Sequence, residues 1–443
     1  MKDMTTGRSG PLILKFALPL ILGSLFQQFY SLVDAAIVGR TMGAEALASV
    51  GSSASIQFMV LGFCMGSCTG FGIPIAQKFG AKDYSSMRKY IYNSLLLGAA
   101  MSLVLTVVLS IFCGQILRAL STPENIFAGA RDYLFIIFLG IPCTILYNLL
   151  SSILRAVGDS RTPFAFLVFS SFLNIGLDFF CILVLCWGVA GAAIATIFSQ
   201  GLSGLLCAFY MWKKYQFLTP KKEERSLSWS CQKYLAVMGF PMGLQFSITA
   251  IGSTFMQSAN NKLGSVYVSA YTAALRIKQL MMSPFDGIAS GTSTFCSQNL
   301  GAGKDDRIRD GLRKGIMIGV GYGLLAAVPL IFFGRNLSMI FLTADESEIL
   351  DASAQFLRVE GYFFWSLGIL NVCRMVTQGL GHAGKAIISG FIEMACRIFV
   401  SLVFVPVYGY AAFCFTDETA WIAAAIFNLP MCLWCLKHAK LAK

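Results

Sequence analysis

The sequence predicts an all-α integral membrane protein with twelve transmembrane helices, arranged in two six-helix lobes related by a pseudo-two-fold axis along the membrane normal. Three observations carry this prediction: the composition, the length of the apolar segments and an internal repeat. Of the 443 residues, 56% are hydrophobic and only 13% are charged, whereas soluble domains carry about 25% charged residues. This composition leaves too little polar surface for a large soluble domain.

Twelve apolar segments have the length that crosses a bilayer, which is roughly 20 residues for a helix. The first of them lacks a small-residue cleavage site, so we interpret it as a spanning helix and not as a removed signal peptide. The predicted spans lie near residues 15–37, 48–77, 91–113, 132–154, 163–185, 190–212, 234–260, 268–298, 315–334, 353–377, 386–406 and 420–436.

Lysine and arginine are distributed unequally between the two sides of these spans. With the twelve helices as separators, 24 of the 34 basic residues fall on one side and six on the other. Because basic residues collect on the cytoplasmic side of membrane proteins, both termini are predicted to be cytoplasmic. The net charge of +12 does not indicate a nucleic acid partner, because the basic residues lie between spans and not on one stripe.

Two stretches of the chain resemble each other at a constant offset of 221 residues, since Gly43–Ala81 corresponds to Gly264–Ala302. Six spans separate equivalent points, so both copies cross the membrane in the same direction. We therefore predict an N-lobe of residues 1–212, a cytoplasmic linker of residues 213–233 and a C-lobe of residues 234–443. A cleft between two lobes that opens alternately to either side of the membrane indicates transport.

Several acidic residues lie deep within the predicted spans, where a carboxylate costs roughly 2.5–3.5 kcal/mol on insertion scales. Asn174 and Asp178 are one helical turn apart and share a face. Together with Asp34 and the hydroxyl of Thr196, they offer oxygen ligands suited to Na⁺ or to a proton relay. An ordinary interhelical hydrogen-bond pair is the alternative. The acids counted within the spans are Asp34, Asp178, Asp286, Glu360 and Glu393.

The second half of the chain does not repeat this cation site. At an offset of 223 residues, Asn174 and Asp178 correspond to Arg397 and Ser401. Glu393 and Arg397 have the i, i+4 spacing and the order that favour an ion pair on a helix. We favour a structural ion pair of Glu393 with Arg397 over a second coupling site.

A set of short motifs, each weak alone, resembles the multidrug and toxic compound extrusion (MATE) family over essentially the whole chain. The motifs are Ala17-Leu18-Pro19, Asp34 with Gly39, Gln77-Lys78-Phe79-Gly80-Ala81, Leu154-Arg155-Ala156-Val157-Gly158-Asp159 and Gln298-Asn299-Leu300-Gly301-Ala302. The resemblance implies a secondary antiporter that expels cationic and aromatic compounds against inflowing Na⁺ or H⁺. It also implies that Asp34, Asn174, Asp178 and Thr196 form the cation site of one branch of the family. The other branch places acids on its seventh and tenth helices, but the seventh helix here has none.

The predicted substrates are organic, cationic and amphipathic compounds, with Gln27, Tyr30, Asn148 and Asp286 as the substrate-binding residues. We expect no cofactor beyond the coupling ion and no metal beyond Na⁺. The partners are the lipid bilayer and small molecules, with no nucleic acid. We further predict a monomer in the plasma membrane.

Two other functions are alternatives. A lipid-linked oligosaccharide flippase of related architecture would need a cavity rich in arginine or lysine to bind pyrophosphate. A membrane enzyme would need a catalytic constellation, yet the only histidines, His382 and His438, fall at predicted cytoplasmic loops. The sequence therefore favours a transporter and not an enzyme.

The predicted orientation can be tested by cysteine labelling in intact cells, after native reactive thiols are removed. Cysteines that replace Lys222 and Asp306 should be shielded from an impermeant thiol reagent, because both positions fall on the basic, cytoplasmic side. A cysteine that replaces Ser347 should be labelled. Labelling at the first two positions would overturn the topology.

Overall fold

The computed structural model describes residues 3–119, 122–343 and 345–439. This part of the chain folds into fifteen α-helices with short π and 3-10 segments, and it contains no β-strand. The helices are α1 (Ser9–Met42), α2 (Ala44–Gly80), α3 (Tyr84–Ala119), α4 (Glu124–Leu139), α5 (Ile141–Ala156), α6 (Arg161–Phe179), α7 (Gly188–Lys214), α8 (Trp229–Asn261), α9 (Ser265–Gly301), α10 (Asp305–Ser338), α11 (Ser347–Gly379), α12 (Ala383–Phe399), α13 (Val405–Tyr408), α14 (Tyr410–Phe413) and α15 (Thr416–Lys437).

Each of the twelve predicted spans falls on one of these helices or on a consecutive pair. Among the described residues, nine helical segments are long and apolar enough to cross a membrane. The helices α4 and α5 together make a tenth, bent by 46°. The helices α9 and α11 have 37 and 33 residues, which is long enough to span a membrane. They are too polar to be counted among the nine. The predicted fold class, an all-α membrane protein, is confirmed.

The internal repeat is visible in matching elements of the two halves. The helices α2 and α9 have 37 residues each, and both begin after a glycine with a positive φ, Gly43 at 85° and Gly264 at 111°. Glycine suits these positions because other residues are strained there. The helices α6 and α12 each continue into a five-residue π segment, Phe180–Val184 and Val400–Phe404. π segments occur often at functional sites.

The chain divides by internal contacts into two compact units. Among the described residues, the first unit contains Leu22–Gly243, and the second contains Met4–Ile21 together with residues 244–439. Consequently α1 begins in the second unit and ends in the first, whereas α8 does the reverse. The predicted lobes divide the chain by counting spanning helices, whereas these units divide it by internal contacts. The two divisions are different, so the predicted lobe boundaries stay a prediction.

The segment before α1 is attached to the second unit by hydrogen bonds. The backbone amide of Met4 donates to Gln298 Oε1 at 3.0 Å, and Asn299 Nδ2 donates to the Met4 carbonyl at 3.1 Å. Lys304 and Arg307 donate to the carbonyls of Thr5 and Gly7 at 2.9 and 2.8 Å. The Gln298-Asn299 motif therefore holds the N-terminal segment.

Close helix packing in the second unit depends on glycine. A Cβ atom added to Gly368 of α11 would lie 2.4 Å from the carbonyl carbon of Gly319 in α10. A backbone atom cannot give way as a flexible side chain can, so two helices that approach this closely require glycine at the contact.

Gly368→Ala should therefore destabilise the protein by about 1–3 kcal/mol, the usual cost of overpacking. The matched control is Gly321→Ala, because a Cβ atom at Gly321 of α10 meets no atom within 4 Å. We expect a lower unfolding temperature in detergent for Gly368→Ala and an unchanged or higher one for Gly321→Ala. Equal stability of the two variants would contradict the contact.

Candidate functional site

Four polar residues predicted to bind a cation come from three helices of the first unit: Asp34 from α1, Asn174 and Asp178 from α6, and Thr196 from α7. Asn174 and Asp178 are buried, with 3% and 0% of their surface exposed. Asn174 Nδ2 lies 3.5 Å from Thr196 Oγ1, which itself donates to the Ala192 carbonyl at 3.0 Å. The π segment begins two residues after Asp178.

The carboxyl groups of Asp34 and Asp178 are neighbours in the structure. Neither forms an ion pair with a lysine, arginine or histidine of the described chain. Asp34 Oδ1, both carboxyl oxygens of Asp178 and Asn174 Oδ1 are buried and accept no hydrogen bond from described groups. These four oxygens can bind a proton or a small hard cation.

Two tyrosines lie next to this acid pair. Tyr30, one turn before Asp34, is hydrogen-bonded to the predicted substrate residue Gln27. Tyr133 of α4 approaches Asp34 and is hydrogen-bonded to Gln57 of α2. Sequence analysis missed Tyr133 and Gln57, because no spacing along the chain relates them to α1. An isolated tyrosine within an apolar span was the one available signal.

The other two predicted substrate residues lie elsewhere. Asn148 of α5 donates to the carbonyl of Thr144 in its own helix at 2.8 Å, and no described hydrogen bond joins it to the acid pair. Asp286 belongs to the second unit, where it is exposed in the middle of α9 and lies near the guanidinium of Arg374. The four predicted residues therefore do not form one cluster, and their role in binding substrate stays a prediction.

The second unit contains a chain of buried ion pairs. Lys278 Nζ contacts Glu360 Oε1 at 2.6 Å and also contacts Asp417 Oδ2. Arg397 Nε contacts the other Asp417 oxygen at 2.7 Å. Asp417 thus joins a cation from α9 to a cation from α12, and the exposed fraction of each of these side chains is 6% or less.

The predicted partners Glu393 and Arg397 are in contact, with Arg397 Nη2 lying 3.7 Å from Glu393 Oε2. Each has a closer partner on another helix. Glu393 Oε1 accepts from Arg374 Nη1 at 2.8 Å, and Arg397 binds Asp417. Arg374 also donates to Asn371 Oδ1 at 2.5 Å. The pair is one part of a larger network, and its structural role stays a prediction.

Sequence analysis missed Asp417 and its neighbour Glu418. The last span was predicted to begin at residue 420, which left both acids in a loop, whereas α15 begins at Thr416. Both side chains are buried, with 4% and 1% of their surface exposed. Two adjacent acids at the start of a helix are typical of a solvated N-terminus, which is why their burial is not readable from the sequence.

The network provides three cations for three carboxylates, so it is neutral as a whole. Removing ions from water is costly, and this cost is offset only when every charge has a close partner. Lys278, Arg374 and Arg397 each meet this requirement, as do Glu360, Glu393 and Asp417. Among the described residues, no group of three or more His, Cys, Asp or Glu side chains is arranged to hold a metal ion.

In the described part of the chain, nine long apolar helices with a tenth, bent span, two compact units and neighbouring acids without a counter-ion are typical of a polytopic membrane transporter. The chain belongs to the MatE family, whose sequence profile matches residues 19–180 and again residues 241–403. The double match follows the internal repeat, and it confirms the resemblance to the MATE family.

Similar proteins cover nearly the whole chain. The probable multidrug resistance protein YpnP of Bacillus subtilis is 29% identical, over 88% of this chain and 87% of its own length. An FAD transporter of Shewanella oneidensis is 22% identical, over 98% of this chain and 96% of its own. A solved structure described as the outward-facing conformation of a multidrug resistance MATE family transporter superimposes with a TM-score of 0.92 at 22% identity, covering 98% of both chains.

The stability of the buried network can be tested with Arg397→Ala. This change leaves Glu393 and Asp417 with one cation each, and breaking a buried pair costs about 3–5 kcal/mol. We expect a lower unfolding temperature in detergent and a lower protein level in the membrane. The matched control is Arg335→Ala, because Arg335 forms an exposed pair with Asp351 at 3.4 Å, which contributes about 0–1 kcal/mol.

The double change Glu393→Gln with Arg397→Gln should recover part of the loss, because it removes a charge of each sign. Full stability of both Arg397 variants, together with complete loss of transport, would show that the network is functional and not structural.

Proposed function

We propose that the protein exports organic, cationic and amphipathic compounds in exchange for inflowing Na⁺ or H⁺. The observation that carries the proposal is the pair of Asp34 and Asp178, which has buried carboxyl oxygens without a described hydrogen-bond donor and no described basic partner. Two bare carboxylates side by side in a low dielectric repel each other, so at least one binds a cation when water is excluded. The relatives named as multidrug resistance proteins support the choice of substrate class.

The exchange requires one protein with two conformational states, to which both the cation and the substrate bind. Coupling requires that the cation and the substrate favour opposite states of the same protein. When Asp34 and Asp178 hold one proton or one Na⁺, the pair carries one negative charge. When they lose it, the pair carries two negative charges and attracts a cationic compound more strongly. Inflow of each positive charge releases roughly 2.3 kcal/mol per 100 mV of membrane potential.

The basic residues within the predicted spans do not support the flippase alternative. A flippase needs free arginine or lysine to bind pyrophosphate. Lys278, Arg374 and Arg397, three of the four basic residues within the predicted spans, are each bonded to a carboxylate. The remaining one, Arg276, is a single charge.

The proposal also covers the oligomeric state, location and orientation of the protein. We infer that it is a monomer in the plasma membrane, with both termini in the cytoplasm and no cofactor beyond the coupling ion. The unequal distribution of lysine and arginine supports this orientation.

Asp34→Asn and Asp178→Asn test the mechanism, because each keeps the shape of the side chain and removes its charge. Both variants should insert at normal levels and lose ion-driven export by at least tenfold. The measurement is dye export by purified protein in liposomes under an imposed Na⁺ or pH gradient, which also identifies the coupling ion.

Asp286→Asn is the matched control, because it removes an intramembrane aspartate outside the acid pair, and it should keep at least part of the activity. Wild-type rates from both Asp34→Asn and Asp178→Asn would remove this site from the mechanism.

A further inference from the structure

One buried acid of the second unit is used neither by the proposed exchange nor by the ion-pair network. Glu418 lies in the first turn of α15, and 1% of its surface is exposed. Neither of its carboxyl oxygens accepts a hydrogen bond from a described group, and it forms no ion pair with a described residue. Its neighbour Asp417, by contrast, binds two cations.

The charges that face Glu418 do not neutralise it. Glu360 of α11 faces Glu418 and is itself an acid with one unpartnered oxygen, Oε2. Lys278 of α9 is the cation that acts on Glu418, but its ammonium already binds Glu360 and Asp417. The other ionisable groups around this end of α15 are Cys414 in the preceding turn and Arg397 and Glu393 of α12.

The charge balance of the network points the same way. Three cations compensate Glu360, Glu393 and Asp417, so an ionised Glu418 would add a fourth negative charge with no counter-ion. The N-terminus of a helix favours negative charge, but Asp417 already occupies that position in α15 with its charge paired. An unpartnered carboxylate removed from water takes up a proton instead of remaining charged.

We propose that Glu418 is a proton-binding carboxyl of the second unit, separate from the acid pair of Asp34 and Asp178. In this structure Lys278 is bound to Glu360, and the proton is on Glu418. If Lys278 moves from Glu360 to Glu418, Glu418 loses its proton and Glu360 needs one. The ammonium of Lys278 binds two carboxyl groups here, those of Glu360 and Asp417, and exchange of Glu360 for Glu418 would give a second arrangement of equal net charge.

This inference rests on the proposed exchange and deepens it. In a proton-coupled exporter, a second proton-binding group would increase the number of protons that are exchanged for one substrate molecule. A site for Na⁺ is the competing assignment. No set of three acid, histidine or cysteine side chains in the described chain is arranged around a metal ion, and a proton needs no further ligands.

Infrared spectroscopy of the purified protein tests the proposal without transport, so its failure is distinguishable from a failure of the proposed exchange. A protonated carboxyl absorbs apart from a carboxylate. The difference spectrum between wild-type protein and Glu418→Gln near neutral pH should contain a protonated-carboxyl band, because any band of the Asp34 and Asp178 pair is present in both proteins and cancels. This difference band should disappear reversibly as the pH is raised.

The matched control is Glu224→Gln. The hydrogen bond from Arg88 lowers the pKa of Glu224 to about 2, and its Oε2 lies 2.6 Å from Arg88 Nε. Glu224 is therefore ionised near neutral pH, and its replacement should remove no such band.

Three results would overturn the proposal. The first is a difference spectrum that lacks this band. The second is a band that persists at every pH up to unfolding, which would make Glu418 a fixed neutral residue. The third is loss of the band when Na⁺ is added at constant pH, which would assign the site to Na⁺.

If Glu418→Gln does not fold, wild-type protein can be treated with a hydrophobic carbodiimide, which modifies protonated carboxyl groups. Mass spectrometry should then find the adduct on Glu418 with a yield that falls at least tenfold as the pH is raised. An unmodified Glu418 at low pH would contradict the proposal equally.

Discussion

A charged side chain within an apolar helix must be paired with an opposite charge, reached by water or neutralised by a cation. The two units of this protein meet this constraint in different ways. In the second unit, Lys278, Arg374 and Arg397 link α9, α11, α12 and α15 through shared carboxylates. In the first unit, Asp34 and Asp178 meet without a cationic side chain. The first arrangement holds helices together, and the second leaves oxygen atoms available for an ion.

The difference arises on a common scaffold. The same family profile matches both halves of the chain, and both α6 and α12 end in π segments. At the position that matches Asn174 the second half has Arg397, which takes part in the ion-pair network. Duplicated halves can therefore keep one type of backbone while the polar residues that they bury differ.

The helices were predictable because hydropathy and length determine a spanning segment almost alone. The acid pair was predictable because intramembrane carboxylates are rare and costly. Other features depend on contacts that a linear sequence does not encode. Spacing along α12 relates Glu393 to Arg397, but their closest partners, Arg374 and Asp417, come from other helices. The bend between α4 and α5 and the early start of α15 also lay outside what the apolar pattern reveals.

The N-terminal segment that is held by Gln298 and Asn299 has a consequence for biogenesis. Met4 and Gln298 are separated by 294 residues, and ribosomes add about 5–20 residues per second. The segment before α1 therefore waits roughly 15–60 seconds until Gln298 has been synthesised. During that interval Met4–Ile21 lacks its partners in the second unit, although the rest of α1 can already pack within the first unit. Assembly of the second unit thus joins parts of the chain that are synthesised far apart in time.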